Sequence, residues 1–204
     1  MIALDANGAI WTVALNRPDK ANSLTTAMLT DLCAILERAA SADLRALILT
    51  GTGRVFSAGA DLDEARAGLA ISPLWEDVSG RMAALPCLTI AALNGTLAGG
   101  AFGMALACDL RLAVPDARFF YPVMRLGFLP QPSDPARLAA LVGPARAKMI
   151  LMAGAKVDAA TALAWGLVEQ LSTPETLLTD ARALAQDASG ARAAHVAAIK
   201  RMIP

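Results

Sequence analysis

Residues 82–108 read MAALPCLTIAALNGTLAGGAFGMALAC, and these 27 residues between Arg81 and Asp109 carry no charge. A bilayer takes about 20 apolar residues in one helix, so the run is long enough to span one. Its internal punctuation argues otherwise. Pro86 and the pair Asn94-Gly95 cut it into a helix end, a strand (CLTIAAL), a loop and a second helix over 100–107. No uncut apolar helix of spanning length remains, and the stretch reads as buried core.

The flanking sequence has the same texture. Residues 9–16 (AIWTVALN) alternate and read as a strand. Leu24, Met28, Leu32, Ile35, Leu36 and Ala39 recur at helical spacing, which predicts an amphipathic helix over 25–40. LRALILT (44–50) is a short buried strand, VFSAGADL (55–62) starts extended and turns on Gly59, and a helix is expected over 75–85, closed by Pro86. LRLAV and ARFFYP read as two more strands. From Pro135 onward the chain is expected to be almost all helix: 135–142, 145–152, 159–165, 174–188 and 191–201. Strands and helices joined by short loops indicate an α/β layer fold.

Composition narrows the function. The 204 residues suit one domain and are 56% apolar, with 18 basic and 18 acidic side chains. A neutral chain without a basic cluster argues against a nucleic-acid partner. No signal peptide is visible at the N-terminus, and a cytoplasmic location is expected. Cys33, Cys87 and Cys108 are widely spaced among apolar residues and read as buried free thiols. One histidine and no close cysteine pair make a metal site unexpected. That histidine, His195, reads as a surface or interface residue.

Two segments share one form, a buried strand followed by a small-residue turn and a helix. They are FSAGADLDEA and LNGTLAGGAFGMALACD. Glycine permits the sharp turn and the close approach of a ligand. A helix beginning there points unpaired N–H groups outward with a partial positive charge behind them. Side by side, two such turns would offer two N–H donors to one oxygen, an oxyanion hole for an enolate or tetrahedral intermediate. The plain alternative is that the glycines only let helices pack on strands. GTGR (51–54) lacks the end of a P-loop, G-x-G-x-x-G is absent from the second turn, and no serine sits in a G-x-S-x-G elbow.

VALNRPDKANSL (13–24), FSAGADLDE (56–64), IAALNGTLAGGAFGMALACDLRLA (90–113), LGFLP (126–130) and GLVEQL (166–171) occur in one order. Together they resemble the enoyl-CoA hydratase/isomerase family, the crotonase superfamily, from Val13 to Val168. The resemblance implies a crotonase-like spiral of ββα units over residues 1–143. A helical C-terminal region, 144–204, would make a homo-trimer or dimer of trimers; it looks shortened, since usual members continue for a further helix or two. The implied ligand is an acyl-CoA thioester, with coenzyme A as part of the substrate, no separate cofactor, and a place in fatty acid metabolism. By position, the two oxyanion N–H donors would belong to Ala60 and Gly100. Lys20, Ala21, Ala58, Asp61 and Leu62 would line the CoA groove, with Asp61 fixing the turn. Asp63 stands where many relatives have a lysine.

The resemblance also exposes departures. Hydratases of the family use two glutamates, and the matching residues here are Gly103 and Val123. A third position, an aspartate in some relatives, falls near Gln131, and QPSDP replaces a glycine-rich loop. Glycine and valine can neither hold a water nor move a proton, so ordinary hydration is not expected. Tyr121, Arg125, Asp134, Asp63 and Glu64 border the site, though each reads first as a surface or structural residue. Two functions follow: an enzyme that runs enolate chemistry such as isomerisation, decarboxylation or hydrolysis with another acid/base, or a catalytically inactive acyl-CoA-binding member acting as a binding or partner subunit. The acyl pocket is expected to involve ISPLW (71–75) and the terminal helices.

Overall fold

The computed structural model describes residues 1–203. Among these residues ten strands form two sheets. They are β1 (Ile2–Asp5), β2 (Ile10–Leu15), β3 (Ala46–Gly51), β4 (Val55–Ser57), β5 (Leu88–Leu93), β6 (Thr96–Ala98), β7 (Leu110–Ala113), β8 (Arg118–Phe120), β9 (Val157–Asp158) and β10 (Gln170–Leu171). The first sheet has the order β1-β2-β3-β5-β7-β10 and the second β4-β6-β8-β9. Only β1–β2 and β8–β9 are antiparallel pairs; every other neighbour is parallel.

The helices are α1 (Thr26–Ser41), α2 (Leu62–Arg66), α3 (Leu74–Ala84), α4 (Phe102–Leu106), α5 (Val123–Leu126), α6 (Asp134–Val142), α7 (Pro144–Leu151), α8 (Ala159–Trp165), α9 (Leu177–Leu184), α10 (Gln186–Gly190) and α11 (Ala193–Met202). The chain therefore repeats one move three times. β3 and β4 lead to α2 and α3, β5 and β6 lead to α4, and β7 and β8 lead to α5. In each unit the first strand joins the larger sheet and the second joins the smaller one. This is the α/β crotonase-like spiral of ββα units that the sequence led us to expect.

The core lies between the sheets and the helices around them. Leu47, Ile48 and Leu49 of β3 and Ile90, Ala91, Ala92 and Leu93 of β5 are fully buried, as expected of parallel strands covered on both faces. Helix α1 supplies Met28, Leu29, Leu32, Leu36 and Ala39 from one stripe. Thr25 caps it by accepting the Met28 N–H. The charge-free stretch 82–108 resolves into the end of α3, then β5, β6, a 3-10 turn and α4. Among the described residues no helix is long and apolar enough to cross a membrane.

Several local expectations need correction. The loop expected between the CLTIAAL strand and residue 100 is only the two-residue turn Asn94-Gly95, and a further strand, β6, follows it. The helix expected over 100–107 begins as a 3-10 turn at Gly99–Ala101 and is α-helical only at Phe102–Leu106. The helix expected over 174–188 starts late, because Thr173 Oγ1 accepts the Thr176 N–H and holds residues 173–176 as a turn. It is then divided into α9 and α10 at Ala185. The region after residue 143 is not wholly helical: β9 extends the smaller sheet and β10 the larger. Lys200 of α11 ties this region to the core, donating to Asp109 at 2.8 Å and to the Cys87 carbonyl at 3.0 Å. All three cysteines are free thiols, and Cys87 and Cys108 are buried. His195 lies on the exposed side of α11.

Candidate active site

β4, β6 and β8 run parallel in the smaller sheet, so their C-terminal ends meet at one edge. The turn after β4 holds Ala58, Gly59 and Ala60; the turn after β6 holds Gly99 and Gly100; β8 delivers Tyr121. The two glycine turns touch. A Cβ placed on Gly59 would lie 3.0 Å from the Ala98 carbonyl oxygen and 3.4 Å from Gly99 Cα. Both glycines are in the left-handed region, with φ of 92° at Gly59 and 58° at Gly99, which other residues enter only with strain. The amide N–H groups of Ala60 and Gly100 donate to no backbone or side-chain acceptor among the described residues. Helix α4, five residues long, is too short to add much of a dipole at this turn.

The loop before α1 braces the first turn. Arg17 Nη1 donates to Asp61 Oδ2 at 2.7 Å and to the Ser23 carbonyl at 3.1 Å. Asp61 Oδ1 accepts the Asp63 and Glu64 N–H groups and so caps α2. The bond from Arg17, with those backbone bonds, holds the Asp61 carboxyl below the usual carboxylate range. Leu24 bridges Ala60, taking the Asp61 N–H on its carbonyl at 2.8 Å and donating to Gly59 O at 2.8 Å.

Sequence reasoning missed the brace beneath this turn. Asn22 is fully buried with φ of 51°. Its side chain accepts the Arg17 N–H and donates to the Thr52 and Val55 carbonyls. Asn94 does the matching work from the other side, accepting Gly51 N–H and donating to Gly53 O. The visible signal was a pair of asparagines beside small residues, Asn94 directly after β5 and Asn22 after the Pro18–Lys20 turn.

The other expected ligand-lining positions gather on the same face. Lys20 ends a 3-10 turn at Pro18–Lys20, and Ala21 follows in the left-handed region. The Ala58 N–H donates to the Ala21 carbonyl at 3.0 Å, which joins these two segments beside Ala60. Lys20, Ala58 and Leu62 are exposed. From ISPLW, Trp75 packs its ring on the second turn, 3.1 Å from where a Cβ on Gly100 would stand, and its Nε1 donates to Leu69 O. Ile71 is exposed instead.

The side chains considered as substitutes for a glutamate pair separate clearly. Arg125 and Asp63 are exposed, and Glu64 caps α1 by accepting the Thr26 N–H and hydroxyl. Asp134 and Tyr121 are buried together. The Tyr121 hydroxyl donates to Asp134 Oδ2 at 2.9 Å, and its ring stacks on Phe102 of α4 at 5.5 Å. Burial pushes the Asp134 carboxyl up to about 6 against the lowering pull of the Tyr121 bond and Arg137. Burial, helped by Asp134, also pushes the Tyr121 phenol well above its ordinary range. Val123 is buried and apolar, and Gly103 faces Asp134 directly.

Comparison with known proteins agrees with this architecture. A family model described as enoyl-CoA hydratase/isomerase matches residues 5–203. The 1,2-epoxyphenylacetyl-CoA isomerase of Escherichia coli (strain K12) is 32% identical over 87% of this chain and 71% of its own. The crystal structure of an enoyl-CoA hydratase from Bacillus anthracis superposes with a TM-score of 0.90 and 34% identity, covering 99% of this chain and 81% of that one. An enoyl-CoA hydratase from Mycobacterium avium subsp. paratuberculosis K-10 gives 0.88 and 30%, covering 99% and 80%. The chain belongs to the enoyl-CoA hydratase/isomerase family, the crotonase superfamily.

Proposed function

We propose that the protein is an enzyme that binds an acyl-CoA thioester and stabilises its enolate between the N–H groups of Ala60 and Gly100. The observation that carries this is the contact between the two glycine turns, each with an amide that has no partner among the described residues. Two fixed donors aimed at one oxygen stabilise charge as it develops on that oxygen, without reorganisation at the moment of reaction. The segments at Lys20-Ala21 and Ala58–Leu62 would hold the pantetheine and nucleotide of coenzyme A along the exposed face beside Ala60. Trp75, packed on Gly100, would border the acyl group. A trimeric assembly in the cytoplasm and a part in fatty acid metabolism go with this reading.

The reaction best matched to the site is proton transfer at carbon, such as migration of a double bond. Gly103 and Val123 cannot position a water, so fast hydration of crotonyl-CoA is not expected. Those same two residues favour a second reading, a binding protein that keeps the turns and lacks turnover. Acetoacetyl-CoA, an enolate mimic, tests the common core of both: the protein should bind it and raise the enolate absorbance. A folded protein that leaves the spectrum unchanged at saturating ligand contradicts the oxyanion hole. Rapid loss of crotonyl-CoA absorbance contradicts the exclusion of hydration.

A further inference from the structure

Asp134 begins α6 and has no solvent-exposed surface. Its Oδ2 accepts the Tyr121 hydroxyl, and its Oδ1 has no hydrogen-bond partner. That free oxygen stands 2.8 Å from where a Cβ on Gly103 would be, with Oδ2 at 3.3 Å. Arg137 Nη1, on the next turn of α6, is also buried and unpartnered. An unpaired buried carboxylate oxygen is costly, and such orphans call for a reason. No metal-binding cluster of side chains occurs among the described residues to supply one.

The surroundings place this carboxylate at the site. Tyr121 follows β8, whose parallel neighbour β6 delivers Gly99 and Gly100. Gly103 lies one helical turn beyond Gly100, on the short helix that Tyr121 stacks against through Phe102. The charged and titratable groups that face Asp134 are Tyr121 from the end of β8, Glu76 from α3 and Arg137 from α6 itself, while α4 presents only Gly103.

We propose that Asp134 is the acid/base of this site, its carboxylate filling the volume that the absence of a side chain at Gly103 leaves open. The proposal rests on the oxyanion-hole reading above. The Asp134 carboxylate takes a proton from the α-carbon of the acyl group. The C–H electron pair enters the carbon–carbon double bond of the enolate, and the thioester oxygen takes the negative charge between the Ala60 and Gly100 N–H groups. The Asp134 acid then returns the proton, either to the α-carbon or, in a β,γ-unsaturated chain, to the γ-carbon, which moves the double bond. No water or cofactor is consumed. Contact with substrate requires the packing over Asp134 to open, and the bonds from Ser133 N–H and Oγ to Glu76 tie its loop to α3.

The test is solvent exchange. Butyryl-CoA in deuterated water, followed by proton NMR over about pH 5 to 8, should lose its α-protons at a rate that rises with pH through the Asp134 titration. Asp134→Asn should cut that rate by at least about 100-fold while acetoacetyl-CoA still gives its enolate band. Tyr121→Phe removes the bond that favours the carboxylate, so exchange should persist with its midpoint moved to higher pH. Exchange in Asp134→Asn within about threefold of the wild-type rate, an unmoved midpoint in Tyr121→Phe, or a wild type that binds acetoacetyl-CoA but exchanges nothing overturns the proposal. A folded wild type that fails to bind acetoacetyl-CoA sinks the oxyanion-hole reading itself.

Discussion

Gly103 and Asp134 occupy one space: a Cβ on the glycine would sit 2.8 Å from Oδ1 of the buried aspartate. A side chain at 103 and a carboxylate at 134 therefore exclude each other in this packing. Gly103 has no side chain, and the QPSDP loop carries Asp134 into the space this leaves.

That exclusion can be measured as stability. Inside a helix, glycine to alanine ordinarily gains about 1 kcal/mol. Gly103→Ala should instead cost about 1–3 kcal/mol in urea unfolding, because the added methyl meets a fully buried carboxylate that must shift to admit it. In an Asp134→Ala background the same substitution should lose most of that penalty. A stabilising Gly103→Ala in the wild-type background would contradict the contact. Gly103→Glu on its own should misfit for the same reason, whatever residue stands at 123.

The buried carboxyl also sets a pH dependence of stability. Its folded value is raised to about 6, against about 3.9 for an unperturbed aspartate. A raised acid is favoured by the fold in its protonated form. Its contribution is complete below the unfolded value and is lost as pH rises through the folded one. Between about pH 4 and pH 8 the wild type should lose about 2 kcal/mol relative to Asp134→Asn. Unfolding midpoints of the two proteins at both ends of that range give the comparison, and a difference that does not change with pH would count against the shifted carboxyl.

Arg17 and Asp61 predict the opposite sign. Asp61 is held below its ordinary value by Arg17, so its stabilising share exists above the unfolded pKa and fades as pH falls. Arg17→Leu should move the Asp61 titration, read by NMR, back up toward the ordinary carboxylate value. It should also loosen the turn that carries Ala60 and weaken acetoacetyl-CoA binding. An unmoved Asp61 titration would mean the pair is not formed in solution.

Gly59 and Gly127 make a matched pair of left-handed glycines. A Cβ on Gly59 meets the Ala98 carbonyl at 3.0 Å, whereas one on Gly127 has nothing within 4 Å. Alanine at either should cost about 1 kcal/mol for backbone strain. Gly59→Ala should cost more than that in thermal unfolding and should alone impair acetoacetyl-CoA binding. Equal effects at the two positions would remove the contact between the glycine turns from the account.

Much of this was legible in the sequence because it is written locally. Buried strands such as β3 and β5 are continuous apolar runs, and the glycines that end β4 and β6 mark their turns. The strands β1, β6, β9 and β10 and the helices α2 and α5 are two to five residues long, too short to show a period. Asp134 was harder to read. In QPSDP, between two prolines, an aspartate reads as a loop surface, and only the tertiary contact with Tyr121 and Gly103 shows it to be buried. The local rules place a backbone; they do not say which distant glycine leaves room for a side chain.

The most direct test of the central claim watches the two amides. In a spectrum of the labelled protein saturated with acetoacetyl-CoA, the N–H protons of Ala60 and Gly100 should both shift strongly downfield, as donors do when they acquire an anionic acceptor. Ligand bound with both resonances unmoved would contradict the assignment of this site.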